Sequence, residues 1–218
     1  MTLSLFVHPF SSYSWKVLIP LWADQTPFEY RNVDFANPSG MDELRSLWPF
    51  GKFPLLVDAG QVIAESTPII EHLQAHHRGP NIWIPDGDLG RRVRFLDRFF
   101  DTYVMSAMQA SVGNALRPPE SKDDYGEAQG LATLRTAYDW LEINLPDSEW
   151  ATGDTFTLAD CAAAPSLFYA DWVDRIGEAR PRLNAYRARL LAHPIVARAV
   201  DEARPYRAYF PLGAPDRD

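Results

Sequence analysis

The sequence predicts an α/β domain of order β-α-β-α-β-β-α followed by an all-helical domain. Three observations predict it. From Thr2 to about His77 the apolar residues switch repeatedly between a period of two and a helical period. The stretch Arg78 to Leu89, RGPNIWIPDGDL, is rich in Pro, Gly and Asp and reads as a linker. Beyond it every apolar stretch has helical spacing. The predicted division is residues 1–78 and 90–218, joined by 79–89.

The elements follow in order. Leu3, Leu5 and Val7 alternate as a strand does. Ser14 to Asp24 places Leu18, Leu21 and Trp22 on one helical face, with a bend expected at Pro20. Phe28 to Asp34 reads as a second strand, ANPSG as a loop and MDELRSLW as a short helix. FPLLVD and QVIA flank a tight turn at Ala59-Gly60, which makes them an antiparallel hairpin. ESTPIIEHLQAHH is helical, with Pro68 in the first turn, where the missing amide hydrogen costs little. A βαβ unit followed by ββα gives a four-stranded mixed sheet with packed helices. In the second domain Leu96, Phe99, Phe100, Tyr103 and Ala107 share one face, and Leu131, Leu134, Tyr138, Leu141 and Leu145 another. A further helix starts at Thr157, with a kink at Pro165, and shorter ones cover about Leu183–Leu191 and Ile195–Ala203. The tail FPLGAPDRD is loop.

Composition narrows the function. The chain of 218 residues is 46% hydrophobic and carries a formal charge of -8, which argues against nucleic-acid binding. Cys161 is the only cysteine, so no internal disulfide and no cysteine-based metal cluster can form. MTLSLFVHPF has no basic leader pattern and reads as a strand. No window approaches 18 uncharged apolar residues, so no membrane span is expected. A soluble cytoplasmic protein without a metal is the expectation.

Three short segments can carry chemistry together. Ser11 to Ser14 crowd hydroxyls at a strand-to-helix junction. GKFP, Gly51 to Pro54, precedes a strand that must pair. Glu65-Ser66 opens a helix, whose free amides and positive dipole end attract an anion. Each has a plain reading beside it: serines at 11, 12, 14 and 66 can simply cap helices, and Lys52 can be a solvated loop lysine. Tyr103, Met105, Met108 and Gln109 on the first long helix suit either an adaptable apolar pocket or ordinary packing. Phe99, Phe100 and Trp172 read as core. Thr157-Leu158-Ala159-Asp160 is a capping box, a folding device beside a buried Cys161. His76-His77 suggests a metal pair, but adjacent helical residues point apart, which favours simple charge complementation at a helix C-terminus.

The β-α-β-α-β-β-α frame is that of thioredoxin, and nearly the whole chain, Leu3 to about Pro205, resembles the cytosolic glutathione transferases. SSYSWKV resembles the SSCxWRV segment of the zeta class. GKFPLL is similar to xxVPxL, whose proline is cis, ESTPIIEHL to ESxAIxxYL, and GDTFTLADCAAAP to the helix-capping segment of the second domain. The resemblance implies a thioredoxin-like domain binding glutathione and a helical domain lining the electrophile site. Ser66 would hold the γ-glutamyl carboxylate, with Glu65 facing the α-ammonium. Phe53 backbone beside a cis Pro54 would pair with the cysteinyl part, and Lys52 would hold the glycine carboxylate. Ser11, with Ser12 as the alternative because the serine run blurs register, would donate a hydrogen bond to the thiolate. Tyr13 stands where the zeta segment has cysteine, which disfavours the isomerase, and would be a pocket wall. Asp97 and Asp101 would be the acidic residues that reach a neighbouring subunit.

With no thiol at Ser11 or Ser14, disulfide exchange through a protein cysteine is excluded. A free thiol is only about 3% ionised at pH 7. A hydrogen bond to a charged acceptor contributes roughly 1.5–3 kcal/mol, one or two pKa units. A helix N-terminus adds up to about 1 kcal/mol. The implied activity is serine-type glutathione transfer to a small electrophile, by conjugation, dehalogenation or peroxide reduction, in a detoxifying homodimer with glutathione as co-substrate. The rival readings are a zeta-like maleylacetoacetate-type isomerase and a non-catalytic module of the same fold that binds a protein partner.

Overall fold

The computed structural model describes residues 3–34 and 38–218. The first domain contains β1 (Leu3–Val7), α1 (Ser12–Ala23), β2 (Phe28–Asn32), α2 (Pro38–Leu47), β3 (Leu55–Asp58), β4 (Gln61–Ala64) and α3 (Ser66–His76). The sheet order is β2-β1-β3-β4. β2 runs parallel to β1, as a βαβ crossover requires, and β3 and β4 are antiparallel additions. The period of two divides the central strand between two cores. Leu3, Leu5 and Val7 face the main core with α1, α3 and the helical domain. Phe6 faces a smaller cluster with Leu55 and with Leu44 of α2.

Two boundaries differ from the sequence expectation. The second strand ends at Asn32 rather than Asp34. Helix α2 begins at Pro38, so Pro38-Ser39-Gly40, expected as loop, is helical. Proline is well suited to a first helical position, where its missing N–H has no partner to lose. The rest of that expected loop, Ala36 and Asn37, lies outside the described residues.

The second domain begins with α4 (Gly87–Phe99), three residues inside the segment expected to be linker. A π-helical turn at Phe100–Met105 joins it directly to α5 (Ser106–Leu116). Then come α6 (Asp124–Asn144), α7 (Leu158–Val173), α8 (Pro181–Ala192) and α9 (Pro194–Ala203). Helix α7 is the axis of the molecule, buried from Leu158 through Trp172. Its start is held by Asp160, whose carboxylate accepts the N–H groups of Thr157 (2.8 Å) and Ala151 (2.9 Å) and the Tyr186 hydroxyl (2.7 Å). These bonds offset a burial that pushes the Asp160 carboxyl upward. Cys161 is buried and its thiol is pushed well up by the same cause.

The two domains share one core. Trp15 of α1 is fully buried against Phe168 and Tyr169 of α7, with ring centroids 5.1 and 5.5 Å away. Among the described residues no helix is long and apolar enough to cross a membrane.

Candidate active site

The loop between β1 and α1 is held from several sides. Ser11 is the N-cap of α1 and its Oγ accepts the Ser14 N–H at 3.2 Å. Ser14 Oγ is buried and accepts the His8 N–H at 3.3 Å. His8 Nδ1 accepts the Phe10 N–H at 3.1 Å. Tyr169 of the helical domain donates its hydroxyl to the Phe10 carbonyl at 2.9 Å, and the Trp15 indole of α1 donates to the Pro9 carbonyl at 2.6 Å. Capping therefore uses only an acceptor lone pair of Ser11, and its hydroxyl hydrogen is not consumed by the cap.

The opposing wall is the start of α3. Glu65 is its N-cap residue, with φ 71° and ψ 136° and no side-chain capping bond. A non-glycine residue at positive φ costs energy and marks a locally constrained backbone. The conformation leaves the Glu65 carboxylate exposed while Ser66 is buried at the first helical position. The first amides of α3, at Ser66 and Thr67, have no intrahelical acceptor, and Pro68 carries none. The Phe53–Pro54 peptide is cis.

These pieces meet around a polar cavity of about 410 Å³, lined by Tyr13, Trp48, Lys52, Phe53, Pro54, Glu65, Ser66, Arg98, Asp101, Thr102 and Ser106. A second cavity, of about 330 Å³ and largely apolar, is lined by Phe10, Ser11, Ser12, Tyr13, Met108, Gln109, Val112, Leu116, Tyr169 and the turn at Tyr209–Pro211. Tyr13 lines both. Its phenol is pushed up to about 12, first by burial and next by the Asp101 charge, with a hydrogen bond to Ser106 acting against them. It is a neutral hydroxyl, a donor and not a base, at ordinary pH.

Beneath Tyr13 lies a buried charge cluster. Lys16 is 1% exposed, and its ammonium sits 2.6 Å from both Asp97 Oδ1 and Asp101 Oδ2. It also donates to Thr67 Oγ1 at 3.0 Å, and Thr67 donates to Asp97 Oδ2 at 2.8 Å. Burial lifts Asp101 above the usual carboxylate range, against the pull of Lys16. Asp97 and Asp101 are thus engaged within their own chain, and Asp101 also lines the polar cavity.

The expected site residues fall in three places. Lys52, Phe53, Pro54, Glu65, Ser66 and Tyr13 converge on the polar cavity. Ser11, Ser12 and Met108 border the apolar one. Tyr103 and Met105 border neither cavity. Met105 is buried at 1% exposure, and Tyr103 is 49% exposed on a separate groove with Phe99 and Trp140. The π turn explains both: one extra residue per turn shifts the helix phase, so the face drawn through Leu96, Phe99 and Tyr103 does not continue. The same turn directs Asp101, Thr102 and Ser106 into the polar cavity, where sequence periodicity gave no signal for Thr102 or Ser106. Phe99, Phe100 and Trp172 are core.

Residues 5–81 match the family model for the glutathione S-transferase N-terminal domain, and residues 119–189 the model for its C-terminal domain. The chain belongs to the glutathione S-transferase family. As a glutathione S-transferase it is an enzyme of the transferase class. It is similar to a probable maleylacetoacetate isomerase of Caenorhabditis elegans, 28% identical over 84% of this chain and 89% of that protein. It is also similar to human glutathione S-transferase theta-2B, 28% identical over 88% and 82%. Among solved structures, a glutathione S-transferase from Methylobacterium radiotolerans in complex with glutathione sulfonate superimposes with a TM-score of 0.78, at 25% identity, covering 92% of this chain and 95% of that one. A glutathione S-transferase from Methylobacillus flagellatus with glutathione bound gives 0.81 at 22% identity, over 91% and 98%, a likeness of fold.

Proposed function

We propose that this glutathione S-transferase binds glutathione in the polar cavity and activates its thiol, with the Ser11 hydroxyl as hydrogen-bond donor, for attack on a small electrophile held in the apolar cavity. The observation that carries the reading is Tyr13, whose side chain lines both cavities and so marks where a tripeptide on one side meets an acceptor on the other. Lys52 offers a cation to one terminal carboxylate, and the buried Ser66 with the start of α3 offers donors to the other. The exposed Glu65 carboxylate suits an ammonium.

The sulfur then lies next to the Ser11–Ser12 end of α1. The thiolate is stabilised by the Ser11 O–H and by the helix dipole, and its proton leaves to solvent. The thiolate forms a C–S bond to the electrophilic carbon, and the leaving group departs with the electron pair, or the addition product takes up a proton where nothing leaves. Positioning and thiol activation are the protein's contribution, and the cavity of about 330 Å³ suits a small apolar acceptor. Pairing of two copies has exposed apolar surface to draw on at Phe50, Phe95 and Tyr103.

A second reading is favoured by one observation, the similarity to a protein named as a probable maleylacetoacetate isomerase. That chemistry also begins with thiolate addition. Tyr13, in place of the zeta-class cysteine, supports transfer over isomerisation.

Calorimetry with glutathione, followed by turnover of a chloroaromatic acceptor and of a maleylacetoacetate analogue, tests the proposal. Saturable glutathione binding, acceptor turnover and a sharp loss of turnover in Ser11→Ala at little cost in glutathione affinity are expected. Absence of saturation at millimolar glutathione points instead to a protein-binding module.

A further inference from the structure

Two imidazoles and a carboxylate converge on one point toward the other end of α3, about 9 to 16 Å along the helix from Ser66. Asp58 ends β3, and the tight turn at Ala59 and Gly60 follows it. Its Oδ2 lies 2.8 Å from His72 Nε2 and 2.7 Å from His77 Nε2. One ligand atom from each of the three residues lies within 4.8 Å of the others. Their side chains are 15%, 11% and 30% exposed, so the cluster is half-buried but open to an ion from solvent.

The convergence is a product of the helix end. Residues five apart on a regular helix point about 140° away from each other. His77 is the C-cap of α3, with φ -130° and ψ 42°, and its N–H still bonds to the Leu73 carbonyl at 2.8 Å. That departure from helical backbone swings the His77 ring round to the side on which His72 and Asp58 meet. The adjacent His76 is exposed and stacks near His72, with ring centroids 4.5 Å apart, without joining the donor set.

We propose that Asp58, His72 and His77 form a binding site for one divalent first-row transition-metal ion of the zinc, cobalt or nickel type. Two neutral imidazole nitrogens and one carboxylate oxygen suit such borderline ions, whereas magnesium and calcium take oxygen sets. Metal–ligand bonds of about 2.0–2.2 Å require the donors to part only slightly, because the two nitrogens already face a common oxygen. The ion replaces the shared hydrogen bonds at Oδ2, and water completes its coordination. It bridges the β3–β4 hairpin to the end of α3. Since β3 follows Pro54 and α3 starts at Ser66, the ion braces, from their far ends, two elements that line the polar cavity.

The test uses tag-free full-length protein, stripped with a chelator and kept free of thiols. Cobalt(II) is titrated while its visible d–d absorption is recorded, zinc is added to displace it, and zinc binding is measured by calorimetry. The expected result is saturation at one equivalent, displacement by zinc and a higher thermal midpoint with zinc present. His72→Gln, His77→Gln and Asp58→Asn each weaken zinc binding by about 10-fold or more, since removing even a supporting group costs about 10–100-fold. His76→Gln binds as the wild type does. Absence of a saturable cobalt spectrum in the wild type overturns the site. So does binding that survives His72→Gln/His77→Gln, or that is lost in His76→Gln.

Discussion

The Lys16 ammonium of α1 lies 2.6 Å from the Asp101 carboxylate in the π turn after α4. Through Asp97 and Thr67 the same ammonium reaches α4 and α3. One buried cation thus joins the helix that presents Ser11 to Tyr13, the helix that presents Ser66, and the segment that walls the polar cavity. Removing one partner of a buried ion cluster leaves the remaining charges uncompensated and costs about 3–5 kcal/mol. Lys16→Met is therefore expected to lower the unfolding free energy by about that amount, with an unchanged denaturant slope. A loss below about 1 kcal/mol, the range of exposed pairs, would show that the cluster does not brace the site.

Ser66 is buried at the first position of α3 and lines the polar cavity. In the proposed binding mode Ser66→Ala removes one hydrogen bond to a charged ligand group, roughly 1.5–3 kcal/mol, or about 10- to 150-fold in affinity. The expected signature is a raised glutathione Kd by calorimetry, with kcat at saturating glutathione much less affected. Unchanged affinity would make Ser66 a structural residue of the helix start.

Burial holds His8 and His193 below the ordinary histidine value, with Asp34 and Glu149 respectively pulling the other way. Between those lowered values and about 6.5 the unfolded chain binds protons that the folded chain does not. Stability therefore rises with pH through this window and falls on acidification below about pH 6.5. The pair His8→Asn and His193→Asn, combined in one chain, is expected to shrink the difference in unfolding free energy between pH 7.5 and pH 5.5, read from urea unfolding. An equal difference in variant and wild type would place the acid sensitivity elsewhere.

Much of the fold was legible because local chemistry agreed with it. The period of two in Leu3-Leu5-Val7, the hairpin turn at Ala59-Gly60, Pro68 at a helix start and the Thr157–Asp160 box each state one element with one physical reason. What stayed hidden depended on backbone departures that composition does not encode. The π turn at Phe100–Met105 carried Tyr103 and Met105 away from the cavities and brought Thr102 and Ser106 in. Pro38-Ser39-Gly40 has the composition of a turn, yet α2 opens there. The Asp58–His72–His77 cluster needs a strand end and a helix cap to meet, and the adjacent His76-His77 read only as charge complementation at a helix end. Phe53 and Pro54, which line the polar cavity, were legible because their segment matched a pattern, not because their side chains announce chemistry.

In the proposed reaction the Ser11 hydroxyl stabilises the thiolate of bound glutathione while Tyr13, its phenol pushed up to about 12, shapes the junction of the cavities. The direct measurement is a pH titration of the ultraviolet thiolate absorption of enzyme-bound glutathione in wild type, Ser11→Ala, Ser12→Ala and Tyr13→Phe. Unfolding must be followed alongside, since Ser11→Ala also removes a cap worth about 1 kcal/mol. A bound thiol below the free value of about 8.5 is predicted, raised by about one to two units in Ser11→Ala and little changed in the other two. An unmoved value in Ser11→Ala, or a larger rise in Tyr13→Phe, would rule out Ser11 as the thiolate's donor.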